Sequence, residues 1–111
     1  AMYPPGKNRT GGLGANCIAE GWSPLEALLG EFAGAFLLVF VVFQTAVDPA
    51  AAGNAALAAP VAIGLSVFLA HSLLVPVDGC SINPARSFGP AFVEALTGAG
   101  KRPFKHMRVF W

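Results

Sequence analysis

Five side chains of this 111-residue sequence could do chemistry in an otherwise apolar setting: Glu31, His71, Cys80, Asn83 and Arg86. Asn83 and Arg86 lie three residues apart, about one helical turn, so they share a face. An amide and a guanidinium offer hydrogen-bond donors and a fixed positive charge rather than a nucleophile. The six carboxylates are scattered, no nucleophile is spaced against a base, and no glycine-rich phosphate loop occurs, so the chain does not read as an enzyme. Cys17 and Cys80 lack CxxC spacing with a nearby histidine, which argues against zinc, and two cysteines make no disulfide framework. No cofactor and no metal are called for. The chemistry on offer is recognition and electrostatic exclusion.

The elements that must position these groups are apolar. Hydrophobic residues make up 55% of the chain and charged residues 12%, about half the charge of an ordinary soluble domain. That composition excludes a disordered chain. A net charge of +1 without a dense basic face excludes a nucleic-acid binder. Phe32 to Val47 carries no charge, and Pro49 to Val77 carries none apart from a proton on His71. About 20 apolar residues in a helix cross a bilayer core, so two spans are predicted, at about 25–46 and about 57–75. Ser23-Pro24 reads as N-cap plus Pro at the first helical position, and Asp48-Pro49 ends the first span. The second takes Pro60 in its first turn and stops at Pro76, with Ala50–Ala56 as the connection. Gly30 with Gly34, and Ala58, Ala62, Ser66 and Ala70, form small-residue rows that let membrane helices approach closely. Glu31 and His71 fall inside the spans, where a charge costs on the order of 2.5–3.5 kcal/mol, so both must face protein or water. Read alone, Glu31 is a buried carboxylate accepting backbone N–H groups, and His71 a core histidine bonded to a neighbouring helix. Ala1–Thr10 contains no apolar leader, and the absence of an initiating Met leads us to expect a processed or partial chain.

After the second span, Asn83-Pro84 reads as an N-cap followed by Pro at N1. The helix it opens, about 83–96, is ~20 Å long at 1.5 Å per residue, too short to cross the membrane. A short apolar helix after a Gly-containing irregular stretch reads as re-entrant, which is tolerated only where the backbone is buried in protein or lines a watery cavity. Its N-terminus carries about half a positive charge and would lie near the midplane, with Asn83 donating into a lumen and Arg86 adding charge. The alternative for Arg86 is a pairing with Asp78 at the interface. The fold class is an all-α membrane protein: two transmembrane helices, a re-entrant half-helix and the start of a further helix at the C-terminus.

The stretches GLGAN (12–16), LGEFAGAFLLVF (29–40), APVAIGLSVFLAH (59–71), GCSINPARSFGPA (79–91) and VFW (109–111) occur in order. Together they make Gly12–Trp111 resemble the second half of a major intrinsic protein, an aquaporin. The resemblance implies six spans in two inverted halves, each with a re-entrant Asn-Pro-Ala half-helix. Residues 1–24 would be an extramembrane segment and 25–111 the aquaporin-like half, with 25–46 and 57–75 as the fourth and fifth spans, 83–96 as the second half-helix and 107–111 as the opening of the sixth span. Asn83, Pro84 and Ala85 would be the pore motif, and His71, Cys80 and Arg86 three residues of the outer selectivity filter. A half-helix end and an arginine that exclude cations are already established for water pores. Cys80 stands where many water channels carry a thiol that mercurials attack, and Glu31 where the family braces the re-entrant loop. Ser87, Ala91, Phe110 and Trp111 fit the water-selective rather than the glycerol-conducting pattern. The implied function is passive water conduction, with the bilayer as partner, water as permeant, and a homo-tetrameric assembly.

Two spans and a half-helix do not enclose a lumen, so the chain is expected to need an N-terminal half or another half-channel. The alternative is a non-conducting truncated relative that serves, with other membrane subunits, as a structural part of a larger complex. Lys7, Arg9, Lys101, Arg102, Lys105 and Arg108 share one face, which charge bias alone places in the cytoplasm and the resemblance places outside. Asn8-Arg9-Thr10 on that face is a glycosylation sequon.

Overall fold

Ser23 begins the first helix by reciprocal capping. Its Oγ accepts the Glu26 N–H at 3.3 Å, while Glu26 Oε2 accepts the Ser23 N–H and hydroxyl, each at 2.8 Å. Such a box contributes ~1 kcal/mol and opens α1 (Pro24–Val42), with Pro24 where its missing N–H has no intrahelical partner to lose. The helix widens into a π turn, Phe43–Val47, where Thr45 Oγ1 donates to Val41 O at 2.6 Å, and a 3₁₀ turn, Pro49–Ala51, follows. The computed structural model describes residues 12–51, 55–98 and 103–110. Among them every regular element is helical. Asn8-Arg9-Thr10, Lys7, Lys101, Arg102 and Trp111 lie outside the described residues.

The second helix, α2 (Ala55–Asp78), departs from the expected 57–75 at both ends. It opens early enough to place Pro60 in its second turn, and it runs through Pro76 to Asp78. Proline at 76 removes only the N–H that would bond Ser72 O. The carbonyls beyond it are claimed from outside the helix: Cys17 N–H donates to Asp78 O at 3.1 Å and Ala19 N–H to Val77 O at 2.8 Å. A cap supplied by a distant segment lets the helix outrun its proline.

The third helix, α3 (Pro84–Thr97), has 14 residues and ends at Gly98 with φ 65°. Its length of ~21 Å falls short of a bilayer core. Pro24–Val47 and Ala58–Asp78, at 24 and 21 residues, are long and apolar enough to cross one. Where a further helix was expected over 107–111, the described residues form a 3₁₀ turn, Met107–Val109, entered from His106 in the left-handed region at φ 61°.

α1 and α2 pack through small residues. A Cβ on Gly30 would lie 2.6 Å from Leu74 Cδ2, and one on Gly34 would lie 2.9 Å from both Leu74 Cδ1 and Ile82 Cγ2. Ala27, Glu31 and Gly34 are the buried positions of α1, and Ala59, Ser66, Ala70, Leu74, Val77 and Asp78 those of α2 among the described residues. The small-residue row of α2 is thus Ala59, Ser66 and Ala70, with Ala58 exposed. Ser66 and Ser72 return their hydroxyls to Ile63 O (2.7 Å) and Phe68 O (2.8 Å) of their own helix, which satisfies them without a polar neighbour. A second cluster of Ile18, Ala27, Val77 and Phe110 ties the segment before α1 to both helices and to the C-terminal turn. The outer faces are apolar: Phe32, Phe36 and Phe40 form an exposed stacked ladder with centroids 6.4 and 6.1 Å apart.

Candidate functional site

The stretch between α2 and α3 has a strained backbone. Gly79, Cys80 and Ile82 have φ of 87°, 53° and 43°, and the left-handed region costs a non-glycine residue roughly 1–2 kcal/mol. Two carboxylates hold it there. Asp78 Oδ1 accepts the Cys80 N–H at 3.0 Å, Glu31 Oε1 the Ser81 N–H at 2.6 Å, and Glu31 Oε2 the Ile82 N–H at 2.5 Å. Three consecutive amides are therefore bound by acids from two helices, both acids being buried. Asp78 Oδ2 is buried with no hydrogen-bond partner among the described residues.

Asn83, in extended backbone at φ −158°, caps α3: its Oδ1 accepts the N–H groups of Ala85 (2.9 Å) and Arg86 (3.4 Å), and Pro84 follows in the first turn. With the oxygen committed inward, the amide NH₂ is the polar group Asn83 has left to offer, and the side chain is exposed. Arg86 Nη1 donates to Gly14 O at 3.3 Å and to Asn16 Oδ1, and does not hydrogen-bond Asp78. Ser87 Oγ lies 2.6 Å from both Asn16 Oδ1 and Ser81 Oγ, and its one proton serves either acceptor. Ser81 Oγ in turn donates to Asn83 O at 3.1 Å, and Asn16 Nδ2 donates to Asp78 O at 3.1 Å.

His71 is half-buried on α2, with Nδ1 2.9 Å from Val67 O. A carbonyl only accepts, so Nδ1 carries the proton and a neutral ring leaves Nε2 as an acceptor. The bond goes to the residue's own helix, not to the neighbouring one that the sequence alone suggested. Cys80 is fully buried against Ala70 and Leu74 beside Ile82, whereas Cys17 is exposed. Ser87 and Ala91 are buried on the inner face of α3, and Phe110 in the cluster with Ile18, Ala27 and Val77. Ala85 is exposed beside Arg86.

The residues that reasoning from single side chains passed over are Gly14, Asn16 and Ser81, while Asp78, weighed only as a partner for Arg86, instead holds the Cys80 N–H. The signal for Asn16 is its place at the end of GLGAN, but nothing local says that this loop reaches Arg86. The result is a surface rich in donors: the positive end of α3, the Asn83 NH₂ and the Arg86 guanidinium. A groove of about 310 Å³ adjoins it, lined by Glu31, Phe32, Ser81, Asn83, Pro84 and Phe110 among others. Such a surface attracts lone pairs of a neutral solute and repels cations.

The family model described as major intrinsic protein matches residues 2–111, so the match begins ahead of Gly12, where the motifs begin. The chain is 39% identical to "Probable aquaporin PIP2-8" of Oryza sativa subsp. japonica over 100% of its own length and 40% of that protein's. It is 40% identical to "Aquaporin PIP2-1" of Arabidopsis thaliana over 90% of its own length and 34% of the relative's. With "Probable aquaporin PIP2-8" of Arabidopsis thaliana it shares 46% identity over 83% of its length and 33% of the relative's. It thus spans between a third and two-fifths of the length of these relatives.

Proposed function

The chain belongs to the major intrinsic protein family, and on that premise we propose that it forms half the wall of a passive transmembrane water channel. The observation that carries this reading is the Asn83 amide. Its oxygen is fixed by the Ala85 and Arg86 N–H groups, so it presents only donors, at the positive end of a helix too short to cross the bilayer. Donors at that point orient a small molecule through its oxygen lone pairs, while the helix end and Arg86 oppose protons and metal ions. His71 adds an Nε2 acceptor and Arg86 a charged donor, and the two form the outer constriction; the Cys80 thiol expected beside them is buried against Ala70 and Leu74. Ser87, Ala91, Phe110 and Trp111 favour water over glycerol. A first half of like architecture closes the lumen, and four such channels assemble side by side.

The test is stopped-flow shrinkage of liposomes carrying the channel that contains this chain. Water flux well above that of empty lipid, with glycerol and protons retained, is expected. Flux equal to empty lipid refutes the reading. A second measurement in the same vesicles uses Arg86→Ala, which removes charge and bulk together and is expected to admit glycerol or leak protons.

A further inference from the structure

Asn16 lies outside the pore motif and the selectivity filter, yet it is the acceptor on which Arg86 converges. We propose that Asn16 is a positioning residue that fixes the Arg86 guanidinium at the constriction, and so sets solute rejection in the channel proposed above; the inference rests on that reading.

The amide can sit only one way round. Its Oδ1 faces two donors, Arg86 Nη1 and Ser87 Oγ, and its Nδ2 faces an acceptor, the Asp78 carbonyl. Turning it over would set NH₂ against the Arg86 donor and oxygen against the Asp78 carbonyl, so these two contacts select the orientation, and the Ser87 hydroxyl, able to donate or accept, follows it. Oδ1 has two lone pairs and both are used. The segment carrying Asn16 is itself anchored, because the Cys17 and Ala19 amides cap the end of α2. Asn16 is 6% exposed, so its acceptor is held in place and shielded from competing water. From it the Ser87 and Ser81 hydroxyls, two protons distributed over three contacts, lead to the Asn83 carbonyl. Asn16 therefore couples the arginine of the constriction to the residue that caps α3. Without its oxygen, Arg86 keeps only the longer contact to Gly14 O, and one contact does not fix the plane of a guanidinium.

The experiment compares Asn16→Ala and Asn16→Asp in liposomes carrying the channel, alone and with Arg86→Ala, reading water and glycerol permeability separately. N16A is expected to conduct water within about twofold of the parent while its glycerol leak rises roughly tenfold, the effect of losing one hydrogen bond to a charged group. N16D keeps an acceptor oxygen and is expected to restore rejection. In the R86A background N16A is expected to add nothing. Unchanged glycerol rejection in a water-conducting N16A, or an additive effect on top of R86A, overturns the proposal and leaves the water reading standing. A parent no more permeable than empty lipid refutes that reading instead. Should N16A conduct neither solute, Asn16→Thr, close to asparagine in volume but with a hydroxyl that stops short of Arg86, decides by the same two criteria.

Discussion

Glu31, in the second turn of α1, accepts the Ile82 N–H at 2.5 Å across 51 residues of sequence. With its other oxygen on the Ser81 N–H, one carboxylate spans two adjacent amides of a loop whose backbone is left-handed at Cys80 and Ile82. The buried charge and the strained backbone explain each other. The carboxylate is tolerated at depth because both oxygens accept hydrogen bonds, and Ile82 stays in a conformation unfavourable to a β-branched residue because its N–H is held.

Removing half of this clamp has a specific cost. Glu31→Gln keeps the shape but replaces one acceptor oxygen with NH₂, which then faces a loop N–H. An unsatisfied buried donor costs ~1–3 kcal/mol, so thermal unfolding in detergent should show a loss of about that size. Glu31→Asp, too short to span both amides, should lose a comparable amount. A Glu31→Gln protein as stable as the parent would show that the loop does not depend on these two bonds.

Gly30 and Gly34 differ in what a methyl group would meet. At Gly30 the obstacle is Leu74 Cδ2, the free end of a flexible side chain; at Gly34 it is Leu74 together with Ile82, which the clamp holds in place. Overpacking costs ~1–3 kcal/mol, and Gly34→Ala should lie at the upper end. Combined with Leu74→Ala, the Gly30→Ala penalty should shrink, while most of the Gly34→Ala penalty persists because Ile82 is still there. A double-mutant cycle on unfolding free energies checks this, and equal coupling of both glycines to Leu74 would contradict it.

Much of this arrangement is legible in the sequence, and what is not has a physical reason. Ser23-Pro24 and Asn83-Pro84 are local signals: the capping side chain, the proline and the helix they open are neighbours, so spacing alone places both starts. The end of α2 is not local. Its carbonyls are capped by Cys17 and Ala19, 58 or more residues away, and Pro76 consequently reads as a stop that the helix ignores. Asn16 was likewise hidden, since its role depends on a contact across 70 residues with Arg86. The burial of Ser87 follows from that same contact.

His71 should show one tautomer. Because Nδ1 lies 2.9 Å from the Val67 carbonyl, it is the nitrogen that carries the proton whenever the ring is neutral. Nitrogen-15 shifts of labelled histidine in bilayers should therefore place the proton on Nδ1 and leave Nε2 as the acceptor. A ring protonated only at Nε2 would rule out the bond to Val67 and, with it, the acceptor assigned to the constriction.

The two thiols should differ in accessibility, and the difference can report on the clamp. Cys17 is exposed and Cys80 buried, so maleimide should label the native chain once, at Cys17, and Cys17→Ser should leave it nearly unlabelled until denaturation. Cys80 sits between the amides held by Asp78 and Glu31, so a reagent reaches it only when the loop opens, and its rate follows the opening equilibrium. Weakening the clamp by ~2 kcal/mol with Glu31→Gln should then speed labelling of Cys80 in a Cys17→Ser chain about thirtyfold. An exposed reference thiol on the same protein should react at an unchanged rate. If Cys80 labels as fast as that reference in the unaltered loop, its burial against Ala70 and Leu74 does not describe the native protein; if Glu31→Gln leaves its rate unchanged, Glu31 does not hold the loop closed.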